Sequence, residues 1–297
     1  MSTPTSTRAP VEAPASVRFA RRRQPARWLT AGVALVLAAM FAHFLITNPR
    51  WDWRLVGGYL FSADILRGLL NTVLLTLISS AAGLVVGVVV ALMRLSDDPV
   101  LRWVATAYIW FIRAIPALVL LLLIFFLGAL LPKLSLGIPF GPEFLSVPTN
   151  RLISQFSAAV VGLALVLGAY SAEIFRAGIL SVPAGQLEAA TALAMPRRQR
   201  LRRVVLPQAI RVIIPPLSNE LVTMFKNTSL VSVVGYTELL TTVQLIYGRT
   251  YQTIPLLLVA CLWYLVLTSL AMIGQRYLER RFGRGFTAGR PGKEYSR

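Results

Sequence analysis

The chain has 297 residues, 56% of them hydrophobic and only 14% charged, with 30 lysines and arginines against 12 acidic residues and a net charge of +18. A soluble domain carries about 25% charged residues, so this composition, with a mean hydropathy of +0.66, excludes an ordinary soluble domain. The arginines lie between apolar runs rather than along one soluble face, which fits the positive-inside rule of membrane proteins and not nucleic-acid binding.

Cys261 is the only cysteine, so no intrachain disulfide forms, and His43 is the only histidine. Neither belongs to a cluster of metal-ligating residues, and no metal site is expected.

Residues 1–27 are rich in Pro, Ala, Ser, Thr and Arg and lack apolar periodicity, so they read as a disordered basic tail. Residues 28–47 form an apolar run, long enough to cross a bilayer core of about 30 Å, which needs about 20 helical residues. A signal peptide has an apolar region of only about 7–15 residues, and no clear cleavage site follows, so an uncleaved anchor is the expectation. Trp51, Trp53, Tyr59 and Phe61 come next and suit the headgroup level of the outer interface.

A long span is predicted from about Ile65 to Met93, ended by the turn and charge signals of Arg94 to Pro99. Residues 100–113 read as amphipathic and interfacial, followed by a span from about Ala114 to Leu131. Pro132 to Arg151 is predicted to be a loop with four prolines. Spans follow at about Phe156–Ile179, Ile210–Tyr236 and Pro255–Tyr277, with a short loop at Tyr247–Thr253 and a basic tail at 284–297.

That makes about six helices in an all-α integral membrane protein. Arginine and lysine concentrate before the first span, in the loop carrying Arg197, Arg198, Arg200, Arg202 and Arg203, and in the C-terminal tail. Both termini and that loop are therefore expected in the cytoplasm, and an even number of spans agrees.

The loop between the fourth and fifth spans is patterned. Pro183 suits a first helical turn, Ser181 its cap, and Glu188 an early position near the positive dipole end. Ala189, Ala190, Ala192 and Ala194 would make a small-residue surface that another surface approaches closely. Pro196 stops the helix, the Arg197–Arg203 run starts another segment, and Pro207 is expected to break that segment before the next span. By pattern alone, an ordinary topology-setting loop and a docking loop both remain open.

Glu188-Ala189-Ala190, a small residue at 194, Val204 and Leu206-Pro207 resemble the EAA loop of ABC importer permeases. Gly68-Leu69-Leu70-Asn71-Thr72, Arg113-Ala114-Ile115-Pro116, Ala169-Tyr170-Ser171-Ala172-Glu173, Val182-Pro183-Ala184-Gly185-Gln186, Pro207-Gln208-Ala209 and Lys226-Asn227-Thr228-Ser229-Leu230 extend the resemblance to the polar-amino-acid uptake permeases of the histidine/glutamine type, over about 57–283. The family normally has Gly at Ala194; a helical conformation, in which Ala is favoured, is expected there. It usually has Gly-Thr and then Gln where this chain has Ala114, Ile115 and Leu120.

The resemblance implies a type I permease core of five helices at 57–283, preceded by an extra anchor at 28–47, in a bacterial-type cytoplasmic membrane. It implies that Gly185, Gln186, Glu188, Ala189, Ala190, Ala194 and Pro196, within a coupling loop at 180–207, receive force from a separate ATPase dimer. The other implied partners are an extracytoplasmic substrate-binding protein and a second permease subunit, identical or paralogous. No residue of this chain is expected to be catalytic. The chain has no Gly-x-x-x-x-Gly-Lys-[Ser/Thr] loop, so ATP and Mg would belong to the partner.

Ionisable groups inside spans need partners. Glu173 and Arg176 share a helix face and read either as a self-satisfied pair or as a gate. Asn71, Thr72, Tyr170, Asn219, Glu220, Lys226, Asn227, Thr228 and Ser229 are the further candidates for pathway or substrate contact, with packing against a sister subunit as the structural alternative. Pro215-Pro216 is expected to kink the fifth span. Lys226 is expected to be neutralised by Glu173 or Glu220. The expected function is ATP-driven, binding-protein-dependent import of polar amino acids by alternating access; the alternative is a secondary transporter or channel for small polar solutes.

Overall fold

In the computed structural model, residues 25–138 and 143–282 are described. The proposed disordered tail up to Gln24 and the basic tail 284–297 lie outside them. The chain forms two compact units, divided after Pro49. The first contains α1 (Pro25–Thr47), which takes in the last residues of the expected tail.

The second unit begins with α2 (Trp53–Leu60), whose N-cap Asp52 accepts the Leu55 amide at 3.1 Å, and α3 (Ala63–Arg94). At 32 residues α3 is about 48 Å long at 1.5 Å per residue, more than a bilayer core requires. Asp98 caps α4 (Pro99–Ala114), accepting the Val100 amide at 2.7 Å, with Pro99 in the first turn where its missing N–H does no harm.

The expected span 114–131 is not one helix. α4 ends at Ala114, α5 covers only Ala117–Phe125 and α6 Leu127–Leu130, and the axes of α4 and α5 differ by 104°. The cause is local: Ile115 precedes Pro116 and is pushed out of the helical region, to φ −95° and ψ 134°. Nine residues of α5 cannot cross a bilayer alone.

The proline-rich loop contains a hairpin absent from the all-α expectation. β1 (Lys133–Gly137) pairs antiparallel with β2 (Glu143–Pro148), with Ser135 opposite Ser146 and Leu134 opposite Val147. α7 (Thr149–Leu152) closes its base, the Thr149 amide donating to the Pro132 carbonyl at 3.0 Å.

α8 (Gln155–Leu180) starts at a capping box of Ser154 and Ser157 and forms the principal seam of the molecule with α3. The seam depends on small residues. A Cβ on Gly83 would stand 2.9 Å from the Leu167 Cβ and 3.0 Å from the Ala164 carbonyl oxygen, so the two backbones approach as small-residue membrane packing allows.

After α9 (Ala184–Ala192) and α10 (Arg197–Arg200) the helix continues through a π segment, Leu201–Val205, into α11 (Leu206–Asn227). Pro207 therefore does not break it. The Leu206 amide reaches back five residues to the Leu201 carbonyl, and the wider π turn takes up the N–H that Pro207 lacks. Pro215-Pro216 lie inside continuous α11. A bend of 46° comes later, between the run Arg197–Val234 and α12 (Leu239–Thr250).

The expected loop at Tyr247–Thr253 shrinks to Tyr251-Gln252, because α12 persists to Thr250 and Tyr251 turns the chain at φ 59°. α13 (Thr253–Phe282) completes the fold. Among the described residues four helices, α1, α3, α8 and α13, are individually long and apolar enough to cross a membrane, and six spans result if each bent pair counts as one.

One apolar core cluster joins α2, α3, α12 and α13 through Val56, Ile65, Leu239, Val243, Leu256 and Val259; another joins α3, α5, α8 and α11 through Leu75, Leu121, Leu167 and Met224. Gly83→Val is expected to lower the thermal unfolding midpoint of the detergent-solubilised chain, at an overpacking cost of about 1–3 kcal/mol. An unchanged midpoint would show that the α3–α8 seam can open at no cost.

Candidate functional site

The loop expected to couple is built on a small apolar anchor. Val182, Val205, Ala209 and Ile213 are buried together, with Leu187 of α9 and Ile179 of α8 packed against them. α9 is thereby fixed against α8 and α11. Its start differs from expectation: Ser181 caps the end of α8 instead, its hydroxyl donating to the Gly178 carbonyl at 2.7 Å. Pro183 occupies the N-cap position with no side-chain cap. Glu188 falls in the second turn, beyond the reach of a strong dipole effect.

Gly185, Gln186, Glu188 and Ala189 are exposed, as are Ala194 and Pro196. Ala190 is not: at 3% exposure it is buried, so the exposed small surface consists of Ala189, Ala192 and Ala194.

Ala194 is not helical. It has φ 51°, the left-handed region, just beyond the end of α9. The Met195 amide donates to the Ala190 carbonyl at 3.1 Å and the Ala194 amide to the Thr191 carbonyl at 2.9 Å. This double closure is the Schellman pattern, in which the position of Ala194 favours glycine. The helix expectation followed helix propensity; the capping geometry overrides it.

At the same end of the bundle, Glu173 accepts from Arg176 through Nη2 at 2.8 Å and Nε at 3.1 Å. Its other oxygen lies 3.9 Å from Arg94 Nε, and Arg94 Nη1 donates to the Thr106 hydroxyl at 2.5 Å. The cluster joins α3, α4 and α8. Glu173 is therefore not the partner of Lys226. Glu220 lies six residues from Lys226 on one helix, a spacing that puts the two on different faces. Lys226 is exposed and forms no ion pair among the described residues.

The remaining pathway candidates divide. Tyr170 lies beneath Arg113, whose guanidinium carbon is 4.9 Å from the ring centroid, a cation–π contact beside the α4–α5 break. Asn219 is exposed, and Glu220, Asn227 and Ser229 are half-buried where α11 tightens into a 3-10 segment at Thr228–Val234. Thr228 and Thr72 are fully buried and line no open surface in this structure. Asn71 donates to the Thr237 carbonyl at 2.7 Å.

Thr72 leads to a residue that sequence reasoning missed. Glu238 is 0% exposed and caps α12. One carboxylate oxygen accepts the Tyr264 hydroxyl at 2.6 Å and the Leu240 amide at 3.0 Å, with the Thr72 hydroxyl at 3.4 Å. The other accepts the Thr241 amide at 2.8 Å and hydroxyl at 3.1 Å. The Thr72 hydroxyl also accepts the Leu239 amide at 3.0 Å. An acidic residue directly before an apolar helical run was the available signal, but Glu is not a usual N-cap.

Residues 83–284 match the family described as binding-protein-dependent transport system inner membrane component. The chain is 41% identical over 273 residues to the arginine transport system permease protein ArgU of Corynebacterium glutamicum, covering 89% of this chain, a share that reaches into α1, and 83% of ArgU. It is 36% identical over 219 residues to the probable glutamine ABC transporter permease protein GlnM of Bacillus subtilis, covering 74% of this chain and 93% of that one. A solved chain described as an amino acid ABC transporter with histidines superposes with a TM-score of 0.63 at 34% identity, covering 73% of this chain and 94% of its own. The inward-facing MetNI methionine ABC transporter, at 20% identity and a TM-score of 0.58, shares the fold.

Two outcomes follow from the site. Ala194→Gly relieves a left-handed alanine and is expected to raise the unfolding midpoint, by at most about 1 kcal/mol of stability, while Ala194→Val lowers it; the reverse order in a thermal-shift series would remove the cap assignment. Glu238→Gln is expected to destabilise by about 1.5–3 kcal/mol, and an unchanged midpoint would show that Thr72 and Tyr264 find other partners.

Proposed function

We propose that this chain, which belongs to the family of binding-protein-dependent transport system inner membrane components, imports polar amino acids as the permease subunit of an ABC transporter. It is a multi-pass membrane protein of that family. The observation that carries the reading is the exposed helix α9, fixed by the Val182–Val205–Ala209–Ile213 anchor and presenting Glu188 and Ala189 to a partner. Relatives named as arginine, glutamine and cystine permeases support amino acids as the substrate class.

In this reading the permease performs no bond chemistry. An ATPase dimer holding ATP and Mg docks on Gly185 to Pro196. An extracytoplasmic binding protein delivers substrate, and a second permease subunit, identical or paralogous, completes the pathway. The arginine distribution supports cytoplasmic placement of both termini and of loop 180–207 in a bacterial-type inner membrane. The segment 28–47 then acts as an anchor before the permease domain 57–283. Nucleotide binds one state of the complex better than the other, and that differential affinity moves α9 and switches the access of the cavity. Asn219, Glu220, Lys226, Asn227 and Ser229, with Tyr170, are the side chains assigned in this reading to substrate or to the sister subunit, which their exposed or half-buried positions support.

Co-purification followed by uptake in liposomes tests the reading. An ATPase partner is expected, and uptake should cease with a hydrolysis-dead ATPase. Uptake that persists without hydrolysis would favour a secondary transporter or channel instead. Glu188→Lys is expected to leave membrane insertion and basal hydrolysis intact while reducing uptake at least about tenfold, equivalent to about 1.4 kcal/mol of coupling; normal uptake would remove Glu188 from the coupling surface.

A further inference from the structure

The second unit holds another polar concavity, remote from the coupling loop. A cleft of about 280 Å³ lies between the first turns of α3 and the face of α12, and Asp64, Arg67, Asn71, Thr237, Leu245 and Arg249 line it. Arg67 and Arg94 stand at opposite ends of α3, about 40 Å apart at 1.5 Å per residue. Since Arg94 meets Glu173 at the coupling end, the cleft opens at the other end of the bundle.

The charges of the cleft do not neutralise one another. Asp64, Arg67 and Arg249 are exposed, and none forms an ion pair among the described residues. Arg249 makes one short-range contact, Nε donating to the Leu245 carbonyl at 3.2 Å. The walls are fixed. Asn71 holds the Thr237 carbonyl at 2.7 Å, and the adjacent Glu238 ties the start of α12 to α3 through Thr72 and to α13 through Tyr264. Two guanidinium groups and one carboxylate thus stand in a concavity of preset width, with Leu245 as an apolar wall.

This charge set selects its ligand. Guanidinium groups recognise carboxylates by charge-assisted, often bidentate hydrogen bonds. A purely acidic ligand would meet Asp64, and a purely cationic one would meet both arginines. A small molecule bearing a carboxylate and an ammonium on one carbon satisfies all three, and the volume accommodates one such molecule.

We propose that this cleft is a subsite for a free α-amino acid at the end of the bundle opposite the coupling loop, with Arg67 and Arg249 holding the carboxylate and Asp64 the ammonium. It rests on the amino-acid transport proposed above and adds a place where substrate is held at the outer ends of α3 and α12, independent of the binding protein.

The test uses the reconstituted full complex in nanodiscs, without binding protein. Calorimetric titration with L-arginine, L-glutamine and L-cystine is expected to show binding of at least one. For that amino acid, the amine lacking the carboxylate and the acid lacking the amine should each bind at least about tenfold more weakly. Arg67→Gln and Arg249→Gln should each weaken binding about tenfold and Asp64→Asn about threefold, all three being exposed positions whose change leaves packing intact. No binding by the wild-type complex at millimolar amino acid, or wild-type affinity in the three variants, overturns the subsite. So does a shift confined to the binding-protein concentration that half-saturates ATPase stimulation, which would make the cleft a protein-docking surface. Uptake by the wild-type complex, measured with binding protein in liposomes, keeps the two readings apart: uptake with unaffected variants removes the subsite alone, whereas absent uptake removes amino-acid transport.

Discussion

One buried carboxylate sets the geometry of an entire end of this molecule. Glu238 has no solvent exposure, yet its two oxygens accept from the Tyr264 hydroxyl, the Leu240 and Thr241 amides and the Thr241 hydroxyl, with Thr72 beside them. A charge at this depth is tolerated only with such a set of donors, and the N-terminus of a helix is where a negative charge is best placed. Because α12 starts here, the 46° change of direction after Val234 is held by the same group that joins α3 to α13. Removing the carboxylate would leave a tyrosine hydroxyl and two amides in an apolar setting. The rigidity of the neighbouring Asp64–Arg249 cleft is a consequence of the same arrangement.

The opposite end is held in a looser way. Glu173, Arg176 and Arg94 are about a quarter to a third exposed, so water shares in their stabilisation and the cluster is weaker than its charge count suggests. Between the two ends, α3 and α8 meet through glycines and small side chains, a seam that depends on dispersion and shape alone. Backbone breaks fall around this frame, at Ile115-Pro116 and at Gly235–Thr237. Within a bilayer, irregular backbone persists only where it is enclosed by protein or lines a watery cavity. The Arg113–Tyr170 contact marks the first of these breaks, and under the transport reading that break borders the path.

What the sequence made legible follows from how far apart the determining residues are. The spans corresponding to α3, α8 and α13 were read to within a few residues, apart from the longer C-terminal end of α13, since each depends on a continuous apolar run. The Glu173–Arg176 pair was legible from a spacing of three. The α4–α5 break was legible in principle, because Ile115 precedes a proline, but the surrounding apolar run concealed it. Pro207 misled in the other direction: a π turn absorbs it, and nothing in the composition of Leu201–Val205 announces one. Glu238's cap position was signalled only weakly by the apolar run after it, and its part in joining helices was out of reach, because its partners Tyr264 and Thr72 stand 26 and 166 residues away.

Ala194 shows how a local departure bears on mechanism. Glycine in a left-handed cap is unstrained but leaves the unfolded loop more conformations, whereas alanine accepts strain and narrows them. The cap at Ala194 is nevertheless closed by two backbone hydrogen bonds, and Arg200 reaches back to the Thr191 hydroxyl at 2.7 Å. Pro183 and Pro196, both extended at ψ 136° and 150°, stand at the two ends of the segment. With Leu187 seated on the buried Val182–Ile213 cluster, α9 has few ways to rotate independently of α8 and α11. Under the coupling proposed above, a loop built in this way would behave as a lever and not as a hinge, passing a displacement of Glu188 into α8 and α11, the two helices that carry Tyr170, Glu173 and the Asn219–Asn227 stretch.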